Sequence, residues 1–386
     1  MNPQDLQPNK ILVRGVNWLG DAIMTTPAMV RLRERFPDAH IALATKEHLG
    51  AVWQQHPAVD EVIPIGAEEG MLKLAARLRS MNFDLGIALP NSLRTALELK
   101  FAKIPNRLGY EGRGRWLALN HRVKHRTGIY RMRKLSDREI QRAIDSDKPA
   151  QAEIPVAAHH IHHYLHLLAP LGTATDPVAP SVAVARAELT EAVAKFGLPS
   201  GNQKPIIGIN AGAEYGPAKR WPARSFIQAI DELHRKIDPH FVLFGGPSDL
   251  DTTTRISNGL LELSSRDPTS TGISLFDISG QTNLRELAAL LKNCHALISN
   301  DTGPTHLAAA VGTPVIVPFG STSPELTGPG LPGTNRHTFV KSPLPCAPCF
   351  QRDCPIDFRC MRDLPPALLV AETITQLQEN DELVFN

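Results

Sequence analysis

The feature that most constrains this chain is an alternation, run through twice, of short apolar stretches with longer amphipathic ones. Lys10–Arg14 (KILVR), His40–Ala44 (HIALA), Glu61–Ile65 and Asp84–Leu89 read as strands, with helical patterns between them, the first over Gly20–Phe36. Pro205–Asn210, His240–Phe244, Cys294–Ser299 and Thr313–Pro318 repeat the plan, with helices over Ala223–Ile237, Asn283–Asn293 and Pro304–Val311. Strands separated by helices of this length build βαβ units and a parallel sheet. The near-continuous apolar run Ile206–Asn210 suits a strand buried on both faces. A chain of 386 residues has room for two such domains. The expected fold is therefore α/β, with Rossmann-like domains over 1–175 and 176–365. Their linker lies near Leu171–Ala185, where Gly172, Pro177 and Pro180 break the pattern. A last helix, within 366–386, is expected to pack back on the first domain.

Composition narrows the function. Hydrophobic residues are 42% and charged residues 21%, which excludes collagen-like and disordered classes. Lys and Arg number 41 against 39 Asp and Glu, so no global charge calls for nucleic acid. Apolar runs such as Ile207–Ile209 and Val315–Val317 are far shorter than the roughly 20 residues that span a bilayer. Met1–Lys10 is polar and lacks the apolar core of a secretory leader, so the expected location is the cytoplasm.

Ligands of open α/β sheets bind outside the carboxyl ends of the strands, so the loops there are the places to look for chemistry. Two facing domains would bring such loops to one interdomain cleft. The loop Gly15–Asp21 puts a carboxylate near a helix start. Asp21 there can take a proton from an alcohol or cap the helix. The glycine spacing is not G-x-G-x-x-G, so the dinucleotide fingerprint is absent. Asn210 leads into a Gly-rich loop, 211–222, that ends in Lys219, Arg220, Trp221 and Pro222. A mobile ammonium and a planar guanidinium suit a diphosphate; a solvated basic loop is the plainer alternative. Asp249, after Phe244-Gly245-Gly246, can hold ribose hydroxyls or belong to an ordinary turn. Between Ser299 and His306 a strand passes to a helix that starts near Pro304. The N–H groups of Thr302 and Gly303, with the helix dipole, suit phosphate, and Asp301, Thr302 and His306 add polar side chains. Helix capping explains Asp301 or Thr302 equally well.

Five stretches together resemble glycosyltransferase family 9, the ADP-heptose:lipopolysaccharide heptosyltransferases. They are VNWLGDAIMTTPA (16–28), LPNSLRTAL (89–97), RLGYEGRGR (107–115), GAEYGPAKRWP (212–222) and SNDTGPTHLAAAVGTPVIVPFGSTSP (299–324). The resemblance implies a GT-B fold, an acceptor-binding first domain and an ADP-sugar-binding second one. It implies inverting transfer of heptose from ADP-L-glycero-β-D-manno-heptose to the lipopolysaccharide inner core, with the second heptose as the expected transfer. In that reading Asp21 is the catalytic base and Lys219 contacts the donor phosphates, with Arg220 a secondary contact. Asp301, Thr302, Gly303 and His306 hold diphosphate and heptose. No cofactor is required, since the charge of Lys219 can stand in for a metal ion. The alternatives are another family-9 transferase, for a first or later heptose or another sugar, or a non-catalytic nucleotide-sugar binding module.

Residues 100–142 hold thirteen Lys or Arg and three Asp or Glu. Such a run is a solvated face, a nucleic-acid surface or an anion site. Aromatic residues for base stacking are sparse there, so nucleic acid is not expected. With the resemblance, the run implies an anionic lipid A–Kdo core acceptor and contact with the inner leaflet of the membrane. Asn91, Ser92, Arg94, Arg113 and Arg115 are the expected acceptor contacts. His159, His160, His162, His163 and His166 share one predicted helix and are expected to be surface or packing residues, although the His159/His163 spacing can hold a metal. Cys346, Cys349, Cys354 and Cys360 form C-x2-C-x4-C-x5-C. That pattern fits structural zinc, unligated thiols or a disulfide, or an iron–sulfur cluster. Cys294 is expected in the core.

Overall fold

The computed structural model describes residues 2–127, 130, 132–199 and 204–384. It divides into two compact units, Met1–Ile129 with Ala157–Ala183, and Tyr130–Val156 with Val184–Asn386. The first holds strands β1 (Lys10–Arg14), β2 (His40–Lys46), β3 (Glu61–Ile65), β4 (Leu85–Ala88), β5 (Asn106–Tyr110) and β6 (His121–Val123). The second holds β7 (Ile206–Asn210), β8 (His240–Phe244), β9 (Ser274–Asp277), β10 (Ala296–Ser299), β11 (Val315–Phe319) and β12 (Thr338–Lys341). The first sheet runs β3-β2-β1-β4-β5-β6 and the second β12-β11-β10-β7-β8-β9. Every pairing is parallel. Counted within each unit, the two sheets have the same strand order. The direction of winding switches between the first and fourth strands, β1 and β4 in one, β7 and β10 in the other.

These central strands are buried end to end, Ile11–Arg14 and Ile206–Asn210 included, because helices cover both faces. Leu12, Ala42, Ile63 and Leu99 pack with Leu74 and Leu78 of helix Met71–Arg79 on one face of the first sheet. In the second unit Phe226, Ile230 and Leu233 of helix Ala223–Ile237 pack with Phe241, Ile298 and Ile316. Leu369 and Val370 of the last helix, Pro366–Val384, join that same core. The last helix, expected on the first domain, thus packs within the second unit.

Two further placements differ from the sequence reading. The single helix expected over Gly20–Phe36 is two, Leu19–Met24 and Thr26–Arg35. Pro27 cannot donate to the carbonyl of residue 23, and the ladder breaks there. The Thr25 and Thr26 hydroxyls turn back instead to the carbonyls of Ala22 and Ile23, at 2.6 and 2.8 Å. Residues 130–156, read as first-domain sequence, group with the second unit. Helix Asp137–Ser146, fixed at its start by a Ser136–Glu139 capping box, packs Ile140 and Ala143 on Cys346 and Cys349. Backbone bonds from Leu135 to the Cys349 carbonyl, 3.0 Å, and from Ala150 to the Pro345 carbonyl, 2.8 Å, fasten the segment.

Buried histidines give the fold a pH dependence. His56 is buried edge-on to Trp53 at 5.2 Å, and its Nδ1 accepts the Ala58 N–H at 3.2 Å. Burial holds its pKa down at about 4. The unfolded chain binds a proton near pH 6.5 that the folded chain refuses until about 4, so stability falls as pH drops through that window. In His56→Asn the amide keeps an acceptor for Ala58 and cannot charge. The urea midpoint of this variant should fall less between pH 7 and 4 than that of the parent, a relative gain of up to about 3 kcal/mol. Parallel pH profiles for the two proteins would refute this.

Candidate active site

In the first unit the loop after β1 is braced from below. Arg14, the last residue of β1, donates to the Gly15 carbonyl at 2.6 Å and pairs with Glu98 at 2.9 Å, both side chains buried. Glu98 comes from helix Leu93–Phe101, which follows β4, so the pair ties the two loops at the winding switch together. Trp18 takes the cap position of helix Leu19–Met24 with no side-chain bond, and Asp21 stands in its first turn. The Asp21 carboxylate is partly open, at 28% exposure, and faces helix His160–Leu168. His160 Nδ1 lies 3.9 Å from Asp21 Oδ1, and the Tyr164 hydroxyl donates to the same carboxylate. Burial lowers the His160 pKa against the opposing pull of Asp21, so the imidazole is neutral at neutral pH. Burial first, and Asp21 second, raise Tyr164 far above the ordinary phenol range.

The histidines next to it form a stack. His163 lies 4.2 Å from the Tyr110 ring and His125 4.7 Å on, while Tyr110 donates to the His163 carbonyl at 2.7 Å. His159 is buried as the cap of its helix, its Nδ1 accepting from Ile161 N–H at 3.2 Å, so it is no partner for a metal with His163. The sequence reading treats these histidines as packing and misses His160 and Tyr164 at Asp21. Their i,i+4 spacing, which puts both on one helix face, was the available signal.

The expected acceptor-side residues divide. Asn91 is exposed, with Nδ2 3.5 Å from His163 Nε2. Ser92 caps helix Leu93–Phe101, accepting from Thr95 N–H at 3.2 Å. Arg94 is open and pairs with Glu98 at 3.2 Å, and Arg113 is exposed. Arg115 corrects the expectation. It is 1% exposed, and it donates to the Pro90 and Ser92 carbonyls at 2.7 and 3.2 Å. Its guanidinium shapes the loop after β4 from inside and presents no charge to solvent.

In the second unit the loops after β7 and β10 close on an ion pair. Lys219 Nζ lies 2.6 Å from Asp301 Oδ2, with side-chain exposures of 13% and 4%. Thr322 donates to the same oxygen at 2.7 Å, and the Lys219 ammonium sits 4.9 Å over the Tyr215 ring. Burial alone would raise the Asp301 pKa; the charge and hydrogen bond of Lys219, with His306 and Thr322, outweigh it and hold the carboxyl down. Burial keeps His306 down at about 4, so at neutral pH the imidazole is uncharged and Lys219 is the counter-charge. Asn300 locks the loops, accepting from Trp221 N–H at 2.9 Å and donating to the Ala211 carbonyl at 2.7 Å. Thr302 takes the cap position of helix Gly303–Ala310 with no side-chain bond. Thr302 therefore supplies no side-chain cap; Pro304 has no N–H and the Thr305 N–H bonds the Thr302 carbonyl at 3.1 Å, so the Thr302 and Gly303 amides and the positive dipole end are what the helix start offers an anion. Asp249 follows β8 and accepts from Gly246 N–H at 3.0 Å. Its carboxylate fills the space where a Cβ at position 212 would stand, so the Gly-rich loop can pass only as glycine there. Arg220 is exposed and reaches the Ala213 carbonyl at 3.4 Å.

The cysteine segment buttresses this loop. Tyr215 donates to the Phe350 carbonyl at 3.0 Å, Ala218 N–H to the Arg352 carbonyl at 3.1 Å, and Arg352 to the Tyr215 carbonyl at 2.6 Å. Gly216, at φ 153°, carries no Cβ because one would sit 2.5 Å from the Arg352 oxygen. All five cysteines are free thiols. Cys346 and Cys349 line the apolar cluster with Leu135 and Ile140, and burial raises both thiols. Burial pushes Cys360 and Cys294 up to about 12. Among the described residues no group of three or more His, Cys, Asp or Glu is arranged to hold a metal ion, so the zinc expectation finds no ligand set there.

The structure is similar to that of Escherichia coli ADP-heptose lps heptosyltransferase II, at a TM-score of 0.73 and 25% identity, over 96% of this chain and 99% of that one. It is also similar to a family 9 glycosyl transferase from Veillonella parvula, at a TM-score of 0.76 and 21% identity, over 98% and 99%. Two parallel six-stranded units with a polar site at each winding switch are thus the GT-B-like fold of a glycosyltransferase. Residues 71–151 and 143–358 match the profile of glycosyltransferase family 9 (heptosyltransferase). The chain is 31% identical over 330 residues to lipopolysaccharide heptosyltransferase 2 of Escherichia coli K12, covering 83% of this chain and 85% of that protein. It is 30% identical over 327 residues to lipooligosaccharide heptosyltransferase 2 of Haemophilus influenzae, covering 83% and 85%. The chain belongs to glycosyltransferase family 9.

The Lys219–Asp301 pair can be tested without any substrate. Lys219→Met leaves a buried carboxylate without its counter-charge and should lower unfolding stability by about 3 kcal/mol. Lys219→Met combined with Asp301→Asn should recover most of that in urea titration. A double variant as unstable as the sum of its singles would contradict the pairing.

Proposed function

We propose that the protein transfers a heptosyl group from ADP-heptose to the lipopolysaccharide inner core, adding the second heptose to the first. What carries this reading is the correspondence of two sites on like sheets. An open aspartate follows the first strand of one unit; a buried lysine and an uncapped helix start follow the first and fourth strands of the other. The likeness to an ADP-heptose lps heptosyltransferase II and to heptosyltransferases 2 supports heptose as the sugar, ADP as its carrier and the second heptose as the one added.

In this reading Asp21 takes the proton of the acceptor hydroxyl as that oxygen attacks the anomeric carbon. The bond from that carbon to the phosphate oxygen breaks, ADP leaves, and the anomeric configuration inverts. His160 and Tyr164 are positioning residues: they hold the carboxylate without adding a positive charge that would make it a poorer base. Charge gathers on the leaving diphosphate. Lys219, which has three N–H donors, can keep Asp301 and still reach a phosphate oxygen. The Thr302–Gly303 amides add preorganised donors, usually the largest catalytic contribution. Arg220 is a secondary phosphate contact, Asp249 holds the ribose hydroxyls, and His306 completes the donor site. No cofactor takes a step. On the acceptor side Asn91, Ser92, Arg94 and Arg113 meet an anionic lipid A–Kdo core, and Arg115 keeps their loop in shape. The protein would work in the cytoplasm, at the periphery of the inner membrane.

Asp21→Asn should lower kcat by about 10²–10⁴-fold while ADP-heptose binding stays unchanged by calorimetry. Full turnover in that variant would remove the base. Transfer to Kdo2-lipid A should require a first heptose on the acceptor; equal transfer without it would assign the first position instead. Arg113→Glu should raise the KM for acceptor much more than that for donor.

A further inference from the structure

We propose that the face formed by helix Leu93–Phe101 and the turn Arg115–Leu117 docks on an anionic lipid surface, a reading that rests on the membrane-bound acceptor proposed above. Four large apolar side chains stand in solvent there. Trp116 is 63% exposed, Leu117 50%, Phe101 43% and Leu93 38%. They belong to one patch. Leu93, Leu97 and Phe101 recur at every fourth residue and so share one side of the helix. Lys100 Nζ donates to the Leu117 carbonyl at 2.7 Å, which straps the turn against the helix. At the other end a Cβ on Gly114 would stand 3.3 Å from Leu93 Cδ2. The core needs none of these exposed groups, since the Ala96–Ala118–Leu119 cluster beneath closes the contact between helix and turn.

Charge identifies the occupant. Between residues 93 and 124 six Lys or Arg are exposed, Arg94, Lys100, Lys103, Arg113, Arg122 and Lys124, while Arg115 is buried; the stretch holds two acids. Glu98 is 1% exposed and neutralised by Arg14 and Arg94, so Glu111 is the one exposed acid of the stretch. Lys103 and Arg113 are exposed at the two ends of the apolar stripe. Aromatic and aliphatic side chains that enter the headgroup boundary, ringed by cations that meet anionic headgroups, make an interfacial binding face. Trp is the side chain best suited to that boundary. A second copy of this chain fits poorly, because a self-complementary interface would set like charges opposite one another. The face also leads to the proposed site. Helix Leu93–Phe101 begins at Ser92, in the loop after β4, where the acceptor contacts lie. A lipid-borne acceptor held beside the helix would emerge at that loop.

The test uses the purified full chain and vesicles without acceptor or donor. Sedimentation with phosphatidylethanolamine/phosphatidylglycerol vesicles should carry the protein down, and with pure phosphatidylcholine should not. The double variant Phe101→Ser/Trp116→Ser should bind the anionic vesicles at least tenfold more weakly, and Lys100→Glu/Lys103→Glu likewise. All should keep the circular dichroism and the turnover of the parent on a deacylated, water-soluble acceptor. Variants that sediment with vesicles as well as the parent does would overturn the proposal. So would a parent dimer in analytical ultracentrifugation that Trp116→Ser turns into a monomer. Vesicle binding that is lost as stated, in a protein that shows no transfer to any acceptor, would leave the docking face standing and remove the functional reading instead.

Discussion

A parallel strand covered on both faces has nowhere along its length for a polar side chain, and everything functional in this protein follows from that. Ile11–Val13 and Ile206–Ile209 are sealed, so the first ionisable or amide groups appear where the strands stop, at Arg14 and Asn210. Both belong to the strand at the winding switch of its sheet, where adjacent loops part to opposite sides and leave room for a ligand. Each end group is put to use at once: Arg14 holds the loop of Asp21, and Asn210 bonds Ser299 at 3.0 Å, joining β7 to β10 beneath Asp301.

The two loop systems handle charge in opposite ways. In the second unit Asp301 is buried, so it persists as an anion only because Lys219 is at hand. The pair is a fixed dipole, stable in one protonation pattern. In the first unit Asp21 has a neutral imidazole and a neutral phenol for company and keeps an open side. The proposed reaction asks for two environments, one that holds an anion and one that moves a proton.

Much of this was legible in the chain itself. Seven of the eight strands read from the chain are interior to their sheets and announce themselves because burial demands apolar runs, the eighth, β3, being an edge strand; the loops after the central strands carry Asp21, Lys219 and Asp301 at positions set by topology. The four strands that escaped notice are edge or near-edge ones, such as NRLGY at 106–110 and TFVK at 338–341, whose half-buried faces tolerate polar residues. Arg115 was misread for a related reason: composition counts a cation without saying whether its fork points to solvent or to two carbonyls. His160 and Tyr164 were hidden by distance, lying some 140 residues from Asp21 in a helix whose His163 and His166 stack on Tyr110. The cysteine spacing looked like a ligand set, yet two of those thiols serve as small apolar side chains under helix Asp137–Ser146.

The strap between 346–354 and the Gly-rich loop couples two stretches that the chain separates widely. Backbone at 216 meets backbone at 352 with no side chain between them, so neither can shift without the other. The height at which Lys219 offers its ammonium is therefore set in part by a segment that touches no substrate in the proposed reaction. Insertions or deletions between 346 and 360 would be transmitted to the Gly-rich loop as a change of reach, and among related chains the two stretches are expected to vary in concert.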